Sequence, residues 1–518
     1  MLPYLTILTL IPLVGGVVLV GLDAKLSTLP RWLALLFHAL SLMVALVILG
    51  LFDTHVGGMQ FVEQGSWIPS IRVEYHLGID GLGLLMILLT ALVVPFAALL
   101  SPPQPKQSRL YYGLLLFLQS GLFGAFTSLN FVHWFLYWEL SLIPAYFLIK
   151  LWGGPRRGEA ARGFFIYTMV GSVTLLLSFL GMFIATGTFD FAQLSAAGRG
   201  LDGGLAAIFN IKLQWYSLST RALGLVLFAG VFLGFAVKVP IWPFHTWLPL
   251  AYSEAPTPVA MVLTGAMSKL GLYGLIRIVL PIFPDQIRWI QTPLLWLAVA
   301  SIVMSALTAF AQRDLKRLLG YLSISHLGYC SLGILSSAQI TAGDPRWVTE
   351  KSAALTGVML QMFNHGIIAS TLFGMVGWLE QRSGGRRGLD DFGGLRQVAP
   401  VFCGLMGIAL FASLGLPGLS GFVGEFLIFK GALALSSWAA VLSSVGLLVT
   451  AIFLLTVAQR IWHGPLSPAR AGFSDLTVCE RVSVAPALLL MLVLGVYPQF
   501  VLAWINPTVM EMLERLNQ

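Results

Sequence analysis

The property that most constrains the fold is the recurrence of apolar stretches long enough to cross a bilayer. About fourteen such spans are read, at roughly 3–21, 32–52, 78–100, 111–128, 130–151, 163–185, 221–249, 256–280, 290–311, 318–337, 352–378, 398–432, 436–462 and 482–505. Each needs about 20 predominantly apolar residues. Hydrocarbon offers no partner for a free backbone N–H or C=O, so spans of this length fold as helices. Only 10% of residues are charged, against about 25% in a soluble domain. The sequence predicts an all-α polytopic membrane protein with short connections, the longest at 53–77, 186–220 and 463–481.

Other classes are excluded by what the residues lack. The net charge of +8 comes with no basic stripe interleaved with aromatics, so it reads as positively charged loops rather than a nucleic-acid surface. Cys330, Cys403 and Cys479 form no CxxC pair and no zinc or iron–sulfur spacing, which leaves core packing as their expected role. Gly81-Leu-Gly83 lacks the third glycine of a dinucleotide fingerprint. No cofactor or metal is expected on this chain. The run Leu2–Leu22 has no cationic residue ahead of it and is expected to be retained as the first helix.

Orientation follows from Lys and Arg. The loops after odd-numbered spans, with their helix ends, hold seventeen, from Lys25 to Arg481; the opposite side holds ten, from Arg72 to Arg515. Positive loops stay in the cytoplasm, so both termini are expected on the non-cytoplasmic side.

Ionisable residues inside the spans carry the functional argument, because a charge at the bilayer centre costs at least about 2.5–3.5 kcal/mol. Glu139 lies in an apolar span, five residues before Pro144. Lys238 precedes Pro240, Pro243 and Pro249, a spacing that no regular helix continues through. Lys269 sits deep in the eighth span, and a buried lysine becomes a proton carrier near neutral pH. Glu425 closes Gly415-Leu-Pro-Gly-Leu-Ser-Gly421-Phe-Val-Gly424, a second helix break beside an ionisable group. Broken helices at membrane depth recur at ion sites of transporters. His326 and His365 lie between the lysines and Glu425 along the chain, where they would relay protons. His245, and Lys316 beside Asp314 and Arg317, are candidates for proton uptake or relay. The breaks in spans 7 and 12 are five spans apart, an offset that inverts topology. This divides the chain into N-terminal helices (1–110), a first five-helix repeat (111–280), a second, inverted repeat (290–462), and a C-terminal helix and tail (482–518).

These segments resemble the proton-translocating antiporter-like subunits of complex I, specifically the chain 4 (NuoM/NdhD) group. The resemblance rests on Gly78-Ile-Asp80-Gly81-Leu, Trp138-Glu139 with Pro144, Lys238-Val-Pro240, Phe244-His245-Thr-Trp-Leu-Pro249, Lys269 with Gly271, Arg313-Asp-Leu-Lys316-Arg, Tyr321-Leu-Ser-Ile-Ser-His326, Asn364-His365-Gly and Pro417-Gly-Leu-Ser-Gly421-Phe with Glu425. It implies a modulating ion pair of Glu139 with Lys238, Lys238 as proton carrier, a path through Lys269, His326 and His365, and Glu425 facing the exit. It further implies a place in a complex I-type NAD(P)H or ferredoxin:plastoquinone oxidoreductase among other membrane subunits, with redox cofactors in those partners. The membrane would be a cyanobacterial thylakoid or a bacterial inner membrane. The alternative is a subunit of a multi-subunit Mrp-type Na+/H+ antiporter. The family's Leu-Pro-Asp-Ala-His reads Leu248-Pro-Leu250-Ala-Tyr252 here, a departure compatible with an NdhD variant of a carbon-dioxide-uptake complex.

Overall fold

A computed structural model describes residues 2–23, 28–102, 105–199, 220–339, 345–466 and 472–517. Of the cations that set the expected orientation, Lys25, Lys212 and Arg470 lie outside these residues, as does most of the 186–220 connection.

Among the described residues, thirteen helices are long and apolar enough to cross a membrane. The first three spans are α1 (Tyr4–Gly21), α2 (Leu29–Leu51) and α3 (Gly81–Leu100). Then come α4 (Ser108–Thr127), α5 (Phe131–Trp152) and α6 (Arg157–Thr186), followed by a short α7 (Phe191–Arg199). The seventh span is broken, as the prolines require: α8 (Thr220–Lys238) stops at the lysine, and a short α9 (Leu248–Glu254) resumes after an irregular stretch. Next are α10 (Thr257–Ile282), α11 (Gln291–Phe310), α12 (Leu315–Ser337) and α13 (Pro345–Arg382). The twelfth span is also broken, into α14 (Pro400–Ser413) and α15 (Ser420–Leu435). Two further spans, α16 (Ser437–Trp462) and α17 (Val478–Val496), precede a final α18 (Gln499–Asn517). The broken pair α14/α15 completes the fourteen spans read from sequence.

Two connections differ from expectation. The 53–77 stretch is not plain loop but an antiparallel hairpin, β1 (Gln60–Ile68) with β2 (Val73–Ile79). It is polar enough to sit outside the bilayer, where a two-stranded ribbon can leave its edges to water or to protein. Glu63 anchors it by accepting the Leu5 and Thr6 backbone N–H groups at the start of α1, at 2.7 and 3.1 Å. The C-terminal segment also differs: instead of one span over 482–505 and a tail, α17 ends at Val496 and a second helix, α18, turns back across the bundle. The Thr508 hydroxyl donates to the Gly57 carbonyl at 3.1 Å and accepts the Gly81 N–H at 2.9 Å. A side chain at Gly81 would collide with the Trp504 carbonyl, so glycine permits this crossing.

The hairpin, α18 and the start of α1 thus share one face of the bundle, the termini-bearing face. The opposite face is charged. There Asp314 caps α12 by accepting the Arg317 N–H at 3.0 Å, and Arg387 bridges Asp314 (2.6 Å), Glu254 (3.1 Å) and Glu380 (3.5 Å).

Burial is uneven in a way that bears on function. The apolar window of α10 is 100% buried inside the protein and those of α12 and α13 94%, whereas α17 reaches 22%. The three central helices carry Lys269, His326 and His365. Of the cysteines, Cys330 and Cys403 are buried as expected, but Cys479 is exposed.

Candidate functional site

The site begins at the first helix break. Pro240 cannot donate to the helix ladder, so the carbonyls ahead of it need other partners. The Trp247 indole N–H takes the Val237 carbonyl at 3.1 Å, and the Ser301 hydroxyl accepts the Trp242 N–H at 2.8 Å. Protein thus satisfies the break, which is what permits irregular backbone at membrane depth. Lys238, at the broken end, is 2% exposed. Its Nζ lies 4.7 Å from the centre of the Trp138 ring and has no hydrogen-bond partner. Glu139 follows Trp138 on α5 and stands within electrostatic reach of Lys238, yet the two do not close into an ion pair. The expected contact pair is therefore a through-space one, with Trp138 between the helices.

A small cavity, with room for about one water, separates Lys238 from Ser268 and is also lined by Phe164, Trp247, Tyr252, Leu263 and Met267. Beyond it lies Lys269, fully buried. A π-helical turn at Leu263–Met267 precedes it, and such turns disturb the regular ladder and cluster at functional sites. The carbonyls around this turn accept side chains: Leu263 takes the Tyr252 hydroxyl at 3.1 Å, and Thr264 takes Lys269 Nζ at 2.5 Å. Lys269 Nζ also lies 2.7 Å from His365 Nδ1 and 3.5 Å from Ser268 Oγ. Three N–H groups of an ammonium thus face three acceptors.

From there the groups are contiguous. The His365 and His326 rings lie 5.4 Å apart. His326 Nδ1 is 2.9 Å from Glu425 Oε1, although that approach misses hydrogen-bond alignment. Ser413 Oγ stands 3.4 Å from His326 Nε2, and Gln361 Nε2 donates to Glu425 Oε1 at 3.1 Å. Gly415, with φ +76°, lies so near Glu425 that an added Cβ would stand 2.9 Å from its Oε2.

Two candidates fall elsewhere. His245 is half-buried against Tyr321, ring centres 6.2 Å apart, in the irregular stretch where the chain unwinds after Lys238. Lys316 is not a free cation at an open mouth: it is 3% exposed and held by Glu380 at 2.6 Å. Conversely, Gln361, Thr264 and Ser268 were missed. Gln361 was legible: with Asn364 and His365 it forms an i, i+3, i+4 polar set on one helix face. The Thr264 carbonyl was not, because a π-turn has no clear sequence signal.

Residues 128–451 match the family described as NADH:quinone oxidoreductase/Mrp antiporter, TM. The chain belongs to this family. The matched range contains all six groups from Glu139 to Glu425. Among relatives, "NADH-quinone oxidoreductase subunit M" of Rhodobacter capsulatus is 34% identical, the alignment covering 99% of this chain and 97% of the relative. "NAD(P)H-quinone oxidoreductase chain 4 2" of Thermosynechococcus vestitus is 36% identical, covering 96% and 89%. A chain of respiratory complex I from Thermus thermophilus superposes with a TM-score of 0.84 at 30% identity, covering 99% of this chain and 100% of that one. A chain of the Mrp complex from Dietzia has a TM-score of 0.83 at 19% identity, covering 100% of both, a likeness of fold.

Proposed function

We propose that this chain is the chain 4-type proton-translocating subunit of a complex I-type NAD(P)H or ferredoxin:quinone oxidoreductase. The observation that carries the reading is the line of ionisable side chains through the most buried helices, running between two helix breaks. The full-length similarity to subunit M and chain 4 relatives supports the same assignment.

Lys238 takes up a proton from the cytoplasmic side, with Glu139 stabilising its charged form across Trp138. The proton crosses the cavity beside Ser268 to Lys269, passes to His365 Nδ1 and His326, and reaches Glu425 for release. The two halves, 111–280 and 290–462, act as inverted repeats, each opening to one side. The termini-bearing face is then the non-cytoplasmic one, in a bacterial inner membrane or a thylakoid. Electron transfer to quinone belongs to partner subunits, which hold the redox cofactors; this chain holds none. Tyr252, where chain 4 members commonly have histidine, lines the cavity between the lysines, so proton transfer there runs past a phenol.

Lys238→Met tests the reading. The assembled complex should retain its subunits and lose nearly all proton translocation in reconstituted vesicles. Wild-type pumping by an assembled Lys238→Met complex would refute the proposal. The composition of the complex that co-purifies with this chain separates it from the Mrp alternative, which predicts antiporter subunits without redox partners.

A further inference from the structure

Serine and threonine inside helices ordinarily spend their hydroxyl proton on a carbonyl one turn back. Thr90, Thr127, Thr168, Ser331 and Thr371 do so here, bonding to the carbonyl four residues earlier. Among the buried hydroxyls that do not are four at the end of the proton line and beyond it. Tyr329 and Ser336 on α12, and Ser443 and Thr450 on α16, have no hydrogen-bond partner. Each is at most 3% exposed.

Their placement is regular. The Tyr329 ring packs between His326 and Phe429, 5.5 Å from each ring centre. Its hydroxyl lies within reach of Thr450 and of the charge on Glu425. Ser325, also nearby, donates to the Ile302 carbonyl at 3.1 Å and is already committed. Ser336 follows Tyr329 by two helical turns and Ser443 precedes Thr450 by two, a displacement of about 10 Å along each axis. Both displacements point to the same face. The carbonyl of Ala338, just past α12, meets Arg288, which also contacts the Leu516 carbonyl of α18. The far end of α16 carries Arg460, paired with Asp390 on the charged face. A phenylalanine at 329 would fill the same aromatic space, so packing does not account for the phenol oxygen.

We propose that Tyr329 and Thr450, then Ser336 and Ser443, form the outlet by which protons leave the His326–Glu425 pair toward the termini-bearing face, with water molecules bridging the two levels. The step leaves both hydroxyls neutral. The Glu425 carboxyl proton passes to the Tyr329 oxygen as the Tyr329 hydroxyl proton moves to the Thr450 oxygen and the Thr450 hydroxyl proton passes to a bridging water, so that Glu425 is left as carboxylate and the water carries the proton outward. This outlet rests on the proton-translocating reading above, and its test distinguishes the two.

The experiment compares Tyr329→Phe, Thr450→Val, Thr450→Ser and Lys238→Met in the assembled complex, reading proton translocation in vesicles and its solvent deuterium isotope effect. Tyr329→Phe and Thr450→Val should each lower translocation by roughly fivefold, the factor that one lost hydrogen bond carries, and should change the isotope effect. Thr450→Ser, which keeps the hydroxyl, should restore it. If Lys238→Met abolishes pumping while Tyr329→Phe and Thr450→Val pump as wild type, the outlet is refuted and the function stands. If Thr450→Ser is as impaired as Thr450→Val, packing rather than the hydroxyl is at work, and the outlet is again refuted. Normal pumping by Lys238→Met refutes both.

Discussion

Gly415 offers a test of how closely the carboxylate of Glu425 must be held. It adopts φ +76°, and a Cβ built there would stand 2.9 Å from Glu425 Oε2, where ordinary contact begins near 3.4 Å. In Gly415→Ala the carboxylate must retreat by about 0.5 Å, the difference between those distances. Its other oxygen is the one 2.9 Å from His326 Nδ1 and bonded to Gln361, so retreat turns that oxygen away from its proton donor. A misplacement of 1 Å can cost a reaction about a hundredfold, so half of that should cost roughly tenfold. The left-handed backbone adds a separate strain of about 1–2 kcal/mol for any residue with a Cβ. Gly418 isolates that strain: it has φ +91°, and a Cβ added there would meet nothing within 4 Å. Gly418→Ala should therefore lower thermal stability about as much as Gly415→Ala while leaving pumping nearly intact. The assay is proton translocation in vesicles per quinone reduced, with assembly checked on native gels. Equal pumping by Gly415→Ala and Gly418→Ala would refute the argument that carboxylate position governs transfer.

Glu139→Gln should reduce pumping by a few-fold without abolishing it, since Glu139 acts on Lys238 through space; Glu139→Lys, which reverses the sign, should be worse, and an unchanged pH profile of turnover in Glu139→Gln would contradict the tuning role. Glu425→Gln should block release, whereas Glu425→Asp should keep partial pumping in the same vesicle assay. Asp475 lies in the loop before α17, where burial works against its charge but the N–H groups of Leu476, Val401 and Phe402 outweigh it and hold the carboxyl below the usual range. Its contribution to stability is complete above the ordinary carboxylate range and is lost as pH falls through the lowered value; Asp475→Asn should remove that acid-side loss from a melting-temperature profile.

How far the sequence revealed the molecule depended on whether a constraint was local. The spans were legible because hydrocarbon leaves each segment to satisfy its own backbone, and the breaks because proline at 240, 243 and 249 and glycine at 415, 418 and 421 act on their own neighbours. Glu139, Lys238, Lys269, His326, His365 and Glu425 stood out because charge in an apolar run is costly. Contacts that depend on packing were not legible. Nothing in the residues around Lys316 announces that Glu380, 64 positions later, folds back to bury with it. The polar 53–77 stretch reads as loop because its hairpin takes its stability from Glu63 at α1 and His76 at Asp190, 2.7 Å apart, rather than from its own alternation. The α18 helix hides because Pro507 and the charged residues near its end interrupt the apolar pattern, while Thr508 docks it on Gly57 and Gly81.

The two buried lysines differ in a way that gives the proposed path a direction. An ammonium has three N–H donors, and leaving them unmet in a low-dielectric site is costly. Lys238 has no hydrogen-bond partner in the protein and is held by the Trp138 ring face, an attraction of about 2 kcal/mol when desolvated, and by the charge of Glu139 through space. Lys269 has Thr264, His365 and Ser268 arranged around its Nζ. A proton moving from the first to the second therefore passes from an unmatched site to a matched one across a gap with room for about one water. Return is opposed for as long as the Thr264 carbonyl stays turned toward Nζ, and that carbonyl belongs to the π-turn rather than to a regular helix. On the proposed path the irregular turn is thus the element that presents an acceptor to the Lys269 ammonium. A change that regularised it would take the direction out of the step while leaving every ionisable group in place.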